Sequence, residues 1–407
     1  MTVSVTTLRP GRRLEPVTPE AARERTIRRR VTTVWGLLML NAIGYSGLIV
    51  HVPSIFGKAI TQASLPVALV LALSVNRRVR LRPNVFLCLA TLLALEAILT
   101  SLQAQYVGTL YRTFRFAEFV TTLWLLTPFW GRRDLLLVRA HLRVLGIILG
   151  SVLLGLFVAP HKARPEGRLS GALWAIPATQ VAHYAAVVIG LVIVLWFCGQ
   201  LRGRPTLIIV LVSVAILLLT RTRTALVGMT AGILVAGLSL IIVKARVRRL
   251  FAIAGAIGTL AILTLSSVIT TFLARGEGTT ELFNLTGRTK VWGPLLATPR
   301  TTFQEIFGFG LSNSSFNGLP IDSNWLSSYQ NQGLFGVTIC AIMLVFLLVV
   351  AYFQPRGVER ALALFLITYC VIASFTEDGF TDATPYLLEL VLAASLFVRP
   401  GPARQLE

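Results

Sequence analysis

Residues 205–243 read PTLIIVLVSVAILLLTRTRTALVGMTAGILVAGLSLIIV, and the only charges in them are Arg221 and Arg223. As one helix rising 1.5 Å per residue, this run would be about 58 Å long. The hydrocarbon core of a bilayer is about 30 Å thick, so the run has to fold back. It must do so where charge is least costly, and the two arginines at its middle mark the place. Two membrane helices joined around Arg221–Arg223 follow, although no glycine or proline is present to make the bend.

The rest of the chain repeats this pattern. Of 407 residues, 55% are hydrophobic and 14% charged, where a soluble domain carries about 25% charged residues. Apolar stretches recur at about 33–51, 56–75, 84–102, 114–130, 143–159, 178–198, 205–220, 224–243, 250–272, 331–353, 359–375 and 383–398. The expected fold is all-α: a polytopic membrane bundle of about twelve spans. Soluble enzymes, disordered chains and disulfide-rich secreted domains are excluded. Residues 1–30 form a basic N-terminal segment, in which Thr18-Pro19-Glu20 reads as the cap and first turn of a short surface helix.

An even number of spans puts both termini on one side. With the N-terminus inside, about two thirds of the 38 basic residues fall in inner segments, as the positive-inside rule requires. Two of those clusters are Arg77, Arg78, Arg80 and Arg82, then Lys244, Arg246, Arg248 and Arg249. Spans 1–9 then occupy 31–272, spans 10–12 occupy 331–398, and the tail 399–407 is cytosolic. The net charge of +21 is therefore a topology signal, and no nucleic-acid partner is indicated. Cys88, Cys198, Cys340 and Cys370 lie in or beside apolar runs without CxxC spacing, so neither a zinc site nor a redox pair is expected. Only Lys58, Lys162, Lys244 and Lys290 are lysines, an arginine bias that hints at a high-GC bacterium.

Most connections are short, but 273–330 is one large outer loop. Its glycine, threonine, serine and asparagine are mixed with Leu282, Phe283, Val291, Trp292, Leu295, Leu296 and Phe303, which suggests short amphipathic helices over the bundle. Loops of this length are usually functional. Arg221 and Arg223 stand beside it, at the outer start of a helix whose N-terminus is already partly positive. A bound anion would relieve that conflict, and phosphate is the natural candidate. The bland alternative is two arginines reaching lipid headgroups.

Thr222-Arg223 at a span junction is followed in the outer loop by Gly287-Arg288 with Trp292, then Gly308-Phe309-Gly310. Asp322-Ser323-Asn324-Trp325-Leu326 leads on to Gly333 and Gly336, and Gly167-Arg168-Leu169-Ser170-Gly171 with Pro177 precedes them all. In this order the motifs resemble the O-antigen ligase and O-antigen polymerase superfamily of integral-membrane glycosyltransferases. The likeness covers roughly 160–345 by motif and the whole chain by span layout. It implies transfer of a glycan from a polyprenyl-diphosphate-linked donor to a glycan or lipid-glycan acceptor, at the outer face of a bacterial cytoplasmic membrane. By resemblance Arg223 and Arg288 bind the donor diphosphate, with Arg168 and Arg221 as helpers. Asp322 stands where the family has a catalytic histidine, and Ser323 where it has asparagine. Peptidoglycan polymerases of the shape and division family look similar in using an acidic residue in an outer loop.

The chemistry is coherent on its own terms. Negative charge develops on a departing lipid diphosphate, and fixed arginines stabilise it. The attacking hydroxyl needs a base, which a carboxylate supplies. No metal or cofactor is called for: there is no His/Cys cluster and no Asp-x-Asp pair.

Other polar residues read more plainly. Glu96 and Glu118 are expected to pair with Arg112 or Arg115. His183 reads as a hydrogen-bonded core residue or one facing a cavity; His51, His141 and His161 read as interfacial or loop residues. Glu377, Asp378 and Asp382 form an acidic outer turn, solvated or acceptor-binding. Two competing functions stand beside the transferase. One is a transporter or flippase for a lipid-linked or anionic precursor; the other is a structural partner in envelope assembly with an inactive site. A transporter would place polar features at mid-membrane, whereas the informative residues here crowd the outer face.

Overall fold

The computed structural model describes residues 18–43, 54–104, 107–253, 255–256, 264, 289–311 and 315–398. They are mostly helical: α1 Pro19–Leu40, α2 Ser54–Val75, α3 Val85–Ala104, α4 Val107–Leu126, α5 Leu136–Val158, the one-turn α6 Pro160–Ala163, α7 Ala178–Phe197, α8 Gly203–Thr220 and α9 Arg223–Leu240. After residues 245–253, also helical, come α10 Thr289–Ala297, α11 Thr302–Phe307, α12 Asn324–Phe353, α13 Val358–Ala373 and α14 Pro385–Leu396. A two-residue hairpin, β1 Ser315–Phe316 against β2 Leu319–Pro320, lies between α11 and α12. Among the described residues six helices (α3, α5, α7, α8, α9 and α12) are long and apolar enough to cross a membrane. The expected ninth span at 250–272 and the first part of the large loop fall largely outside the described residues.

The long run folds back where its charges sit. α8 ends at Thr220, Arg221 adopts a left-handed backbone (φ 52°, ψ 37°), and α9 starts at Arg223. An arginine thus makes the turn that glycine would make more easily, at a strain cost of about 1–3 kcal/mol. Thr18 caps α1 as its sequence suggests, its hydroxyl accepting from the Ala21 N–H at 3.3 Å with proline at the first turn. That helix is not a separate surface element; it continues unbroken into the first apolar run. α4 and α5 each begin seven residues before their apolar stretches. α4 can do so because two of its early arginines are occupied, Arg112 by Asp382 (3.4 Å) and Arg115 by Asn41 (3.1 Å).

The core lies around α7, most of whose residues are buried, and α14, buried along its whole length. α9 packs closely on α13 because Gly228 and Gly232 leave room for Tyr369 and Phe365: a methyl at Gly232 would come within 2.8 Å of the Phe365 ring. Small residues four apart serve this role in membrane helices. Outward, α8, α9 and α12 expose Ile208, Leu211, Leu238, Val345 and Val349, an apolar surface suited to lipid rather than water.

Hydrogen bonds tie the helix ends into two separate assemblies. At the proximal end, where α1 begins, Arg28 pairs with Glu24 and Asp134, and Arg132 with the same two carboxylates. The Gln354 side chain there donates to the Phe397 carbonyl (3.1 Å). At the distal end, segments 159–177, 220–224 and 374–384 meet the start of α12, as described next.

Candidate functional site

The distal end is assembled from chain segments far apart in sequence. After α6, Arg168 donates through Nε to the Thr220 carbonyl (3.1 Å) and through Nη2 to the Thr222 hydroxyl (3.4 Å). The Leu169 N–H donates to the Leu219 carbonyl (3.0 Å), and Arg221 N–H to Leu218 (3.2 Å). The last carbonyls of α8, which an isolated helix leaves without partners, are thereby satisfied. Arg221 reaches back over Gly167, where an added methyl would lie 3.8 Å from its Nη1. The structure therefore brings Arg168, Arg221 and Arg223 to one junction.

The two junction arginines differ electrostatically. Arg221 caps the negative end of α8, a favourable place for a cation. Arg223 is the first residue of α9, where the helix end is positive. Thr222, the N-cap, makes no side-chain cap to α9 and its hydroxyl turns back toward Thr220 (3.4 Å). Arg223 thus opens α9 at a helix start that no side chain caps, and such starts favour anions.

Asp322 is half-buried just before α12. The Asn324 N–H donates to the Ser374 carbonyl (2.9 Å) and the Trp325 indole N–H to the Ser374 hydroxyl (3.1 Å). Two residues on, the Thr376 hydroxyl donates to that of Thr224 (2.9 Å), next to Arg223. The segment carrying Asp322 and the helix starting at Arg223 are fastened to the same short turn. Asn324 is fully buried and orders that turn, its Oδ1 accepting from the Phe380 N–H (2.8 Å). Arg288 lies outside the described residues. The helix that follows it, α10, sets Val291, Trp292 and Leu295 into a small second core with Ile321, Leu326 and Tyr329. Trp292 thus packs against this second core, and Trp325 against the main one.

The two glycine motifs form one contact. Gly308 (φ 73°, ψ −162°) and Gly333 (φ 62°, ψ −158°) both occupy a backbone region open essentially to glycine alone. Phe309 N–H donates to the Gln330 carbonyl (3.0 Å) and Gly310 N–H to Asn331 (2.8 Å), where α12 breaks at Gly333. Arg300 clamps this contact from outside. It stacks on Tyr329 (4.2 Å) and Phe309 (5.1 Å) and donates to the Tyr329 carbonyl (3.2 Å) and Gln330 Oε1 (2.7 Å). Partial burial pulls its pKa below the usual arginine value, with Tyr329 and Glu305 opposing. Nothing in the sequence around Arg300 distinguishes it from a solvated loop charge.

Several simpler readings need correction. Asp382 is half-buried and pairs with Arg112, and the residues on either side of it are buried or half-buried. Glu96 has neither arginine for a partner and is buried beside Thr100 and Gln332. His141 is not interfacial. It is fully buried, accepting from the Trp35 indole N–H (3.1 Å), and its Nε2 lies 3.7 Å from Glu389 Oε1. The same oxygen is 2.8 Å from His183 Nε2, and His183 Nδ1 is 3.0 Å from the Tyr369 hydroxyl. His183 is thus a hydrogen-bonded core residue. Nothing in the sequence announces this chain of buried polar groups at Glu389, whose neighbours are apolar. No group of three or more His, Cys, Asp or Glu side chains is placed to hold a metal ion among the described residues. No protein-family model and no curated protein matches the chain.

Proposed function

We propose that this chain is a membrane glycosyltransferase of the O-antigen ligase and polymerase kind. It takes glycan from a polyprenyl-diphosphate donor and polymerises it or ligates it to a glycan or lipid-glycan acceptor. The reading includes about twelve spans in a bacterial cytoplasmic membrane, with both termini cytoplasmic and the distal end outward. One observation carries it: Arg168, Arg221 and Arg223 converge on a helix start, and the Asp322 segment is tied to the same turn as that helix. In this reading Arg223, Arg288 and the α9 amides hold the diphosphate and stabilise it as it leaves. Arg168 and Arg221 fix the junction, and Asp322 takes the proton of the attacking hydroxyl. The arginine-rich composition favours polymerase over ligase.

The test is genetic and then biochemical. Deletion should leave unpolymerised or untransferred glycan on its polyprenyl carrier while surface glycan shortens. An unchanged lipid-linked pool with normal surface glycan would sink the transferase reading. A second reading, a transporter or flippase for an anionic or lipid-linked precursor, draws on the buried His141–Glu389–His183 cluster, since ionisable groups inside a bundle often mark transport routes. Precursor flux into liposomes that is abolished by Glu389→Gln, with no transfer activity, would favour it.

A further inference from the structure

The proximal end holds two arginine sets on neighbouring faces of α1. Arg28 and Arg132 are neutralised by Glu24 and Asp134. On the other face, Arg23 and Arg30 line a cavity of about 500 Å3 with Arg77, Arg78 and Arg80 from the connection between α2 and α3. Among the described residues no carboxylate lines it. Among the described residues, none of these five guanidinium groups has a hydrogen bond or ion pair. A neighbouring cavity of about 170 Å3 differs in this respect, because Glu359 lies among its arginines.

The arginine-bearing turn is held firmly. Buried Asn76 donates through Nδ2 to the carbonyls of Arg80 (2.8 Å) and Leu125 (3.0 Å), and its Oδ1 accepts from the Arg80 N–H (2.9 Å). Side chains that served only as topology signals would need no such anchoring of their backbone to α4. Five like charges around one hollow repel each other, and an anion within it would turn that repulsion into attraction. Guanidinium forks match phosphoryl oxygens in pairs, and basic pockets between membrane helices take phospholipid headgroups.

We propose that this cavity binds a phosphoryl-bearing dianion, supplied by an anionic phospholipid headgroup or by a soluble diphosphate. It is a second anion site, at the opposite end of the bundle from Arg168 and Arg223, and does not depend on the transferase reading.

The test uses the full-length protein in detergent, titrated calorimetrically with short-chain phosphatidic acid, inorganic pyrophosphate and short-chain phosphatidylcholine. Saturable binding of one or both phosphate probes, and none of phosphatidylcholine, is expected. Arg30→Gln with Arg78→Gln should weaken it at least about tenfold. Arg25→Gln with Arg29→Gln removes the same charge from exposed positions of α1 outside the cavity and should change it less than about twofold. Arg30→Lys with Arg78→Lys, which keeps charge and fold but loses the fork, should fall between the two. Phosphatidic acid binding alone assigns the headgroup; equal binding of pyrophosphate assigns a soluble anion. The proposal is overturned if neither probe binds, or if the cavity and control pairs lose affinity equally.

Discussion

A methyl group on Gly333 would lie 2.6 Å from the backbone nitrogen of Gly308, so these two residues, 25 positions apart, can only be glycine together. Their contact lays the end of α11 against the break in α12. Gly333→Ala or Gly308→Ala should each cost at least about 3 kcal/mol from strain and overlap. The measurement is the melting temperature of the purified protein. A variant melting within a degree of the parent would show that the α11–α12 contact is not tight.

Arg168 acts on the junction by holding it. Arg168→Lys keeps the charge but cannot reach both the Thr220 carbonyl and the Thr222 hydroxyl, so it should lose most of the benefit that Arg168→Ala loses, about 1–2 kcal/mol. Arg223→Lys should instead leave the melting temperature nearly unchanged and weaken donor use. Full activity with lysine at 223 would reduce that arginine to a topological anchor.

Asp322→Asn should abolish transfer from purified lipid-linked donor while donor binding survives. Carboxylates titrate well below histidine. Activity of the parent should therefore persist to lower pH than that of Asp322→His, which is expected to regain partial activity with a more alkaline profile. Near-normal turnover by the asparagine variant removes Asp322 from the mechanism.

Glu389→Gln exchanges the buried carboxylate that His183 and His141 approach for an amide and should destabilise the protein by about 1–3 kcal/mol. Replacing Glu389, His141 and His183 together by leucine should recover much of that loss if the cluster is structural. If the triple variant is stable and transfers glycan normally, the transport reading loses its one support.

At the proximal end, burial pushes the Glu24 carboxyl up, but hydrogen bonds and charge from Arg28 and Arg132 outweigh it and hold it below the ordinary value of 4.5. The stabilisation is therefore complete above that value and disappears as pH falls through the lower, folded-state value. Glu24→Gln should melt earlier than the parent at pH 7, and the gap should close in acid. A constant gap across that range would mean that Glu24 matters for packing, not for its charge.

The sequence discloses what depends on one stretch of chain. Arg221 and Arg223 in an apolar run place a turn, and Thr18-Pro19 places a helix start, because cost and capping are local. It conceals what depends on a distant partner. His141 and Glu389 are 248 residues apart, and nothing near either announces the other. Arg115 looks like a partner for a carboxylate one turn away, yet the fold supplies Asn41 instead. The glycine motifs fall between these cases: their presence is legible, but their mutual contact appears only when α11 is laid against α12.

The lengths of α13 and α14 have a consequence for what can reach the distal end. With 16 and 12 residues they rise only about 24 and 18 Å, against a hydrocarbon thickness of about 30 Å. One end of each therefore lies within that thickness in the proposed membrane setting, and the turn between them packs level with the start of α12, where the Asn324 N–H donates to the Ser374 carbonyl (2.9 Å). Non-helical backbone survives at that depth only when enclosed by protein, and Asn324 and Asn41 provide the enclosure, the latter donating to the Ala383 carbonyl (3.1 Å). In the proposed membrane setting, backbone held in this way can meet an amphiphile from the bilayer without losing its hydrogen bonds.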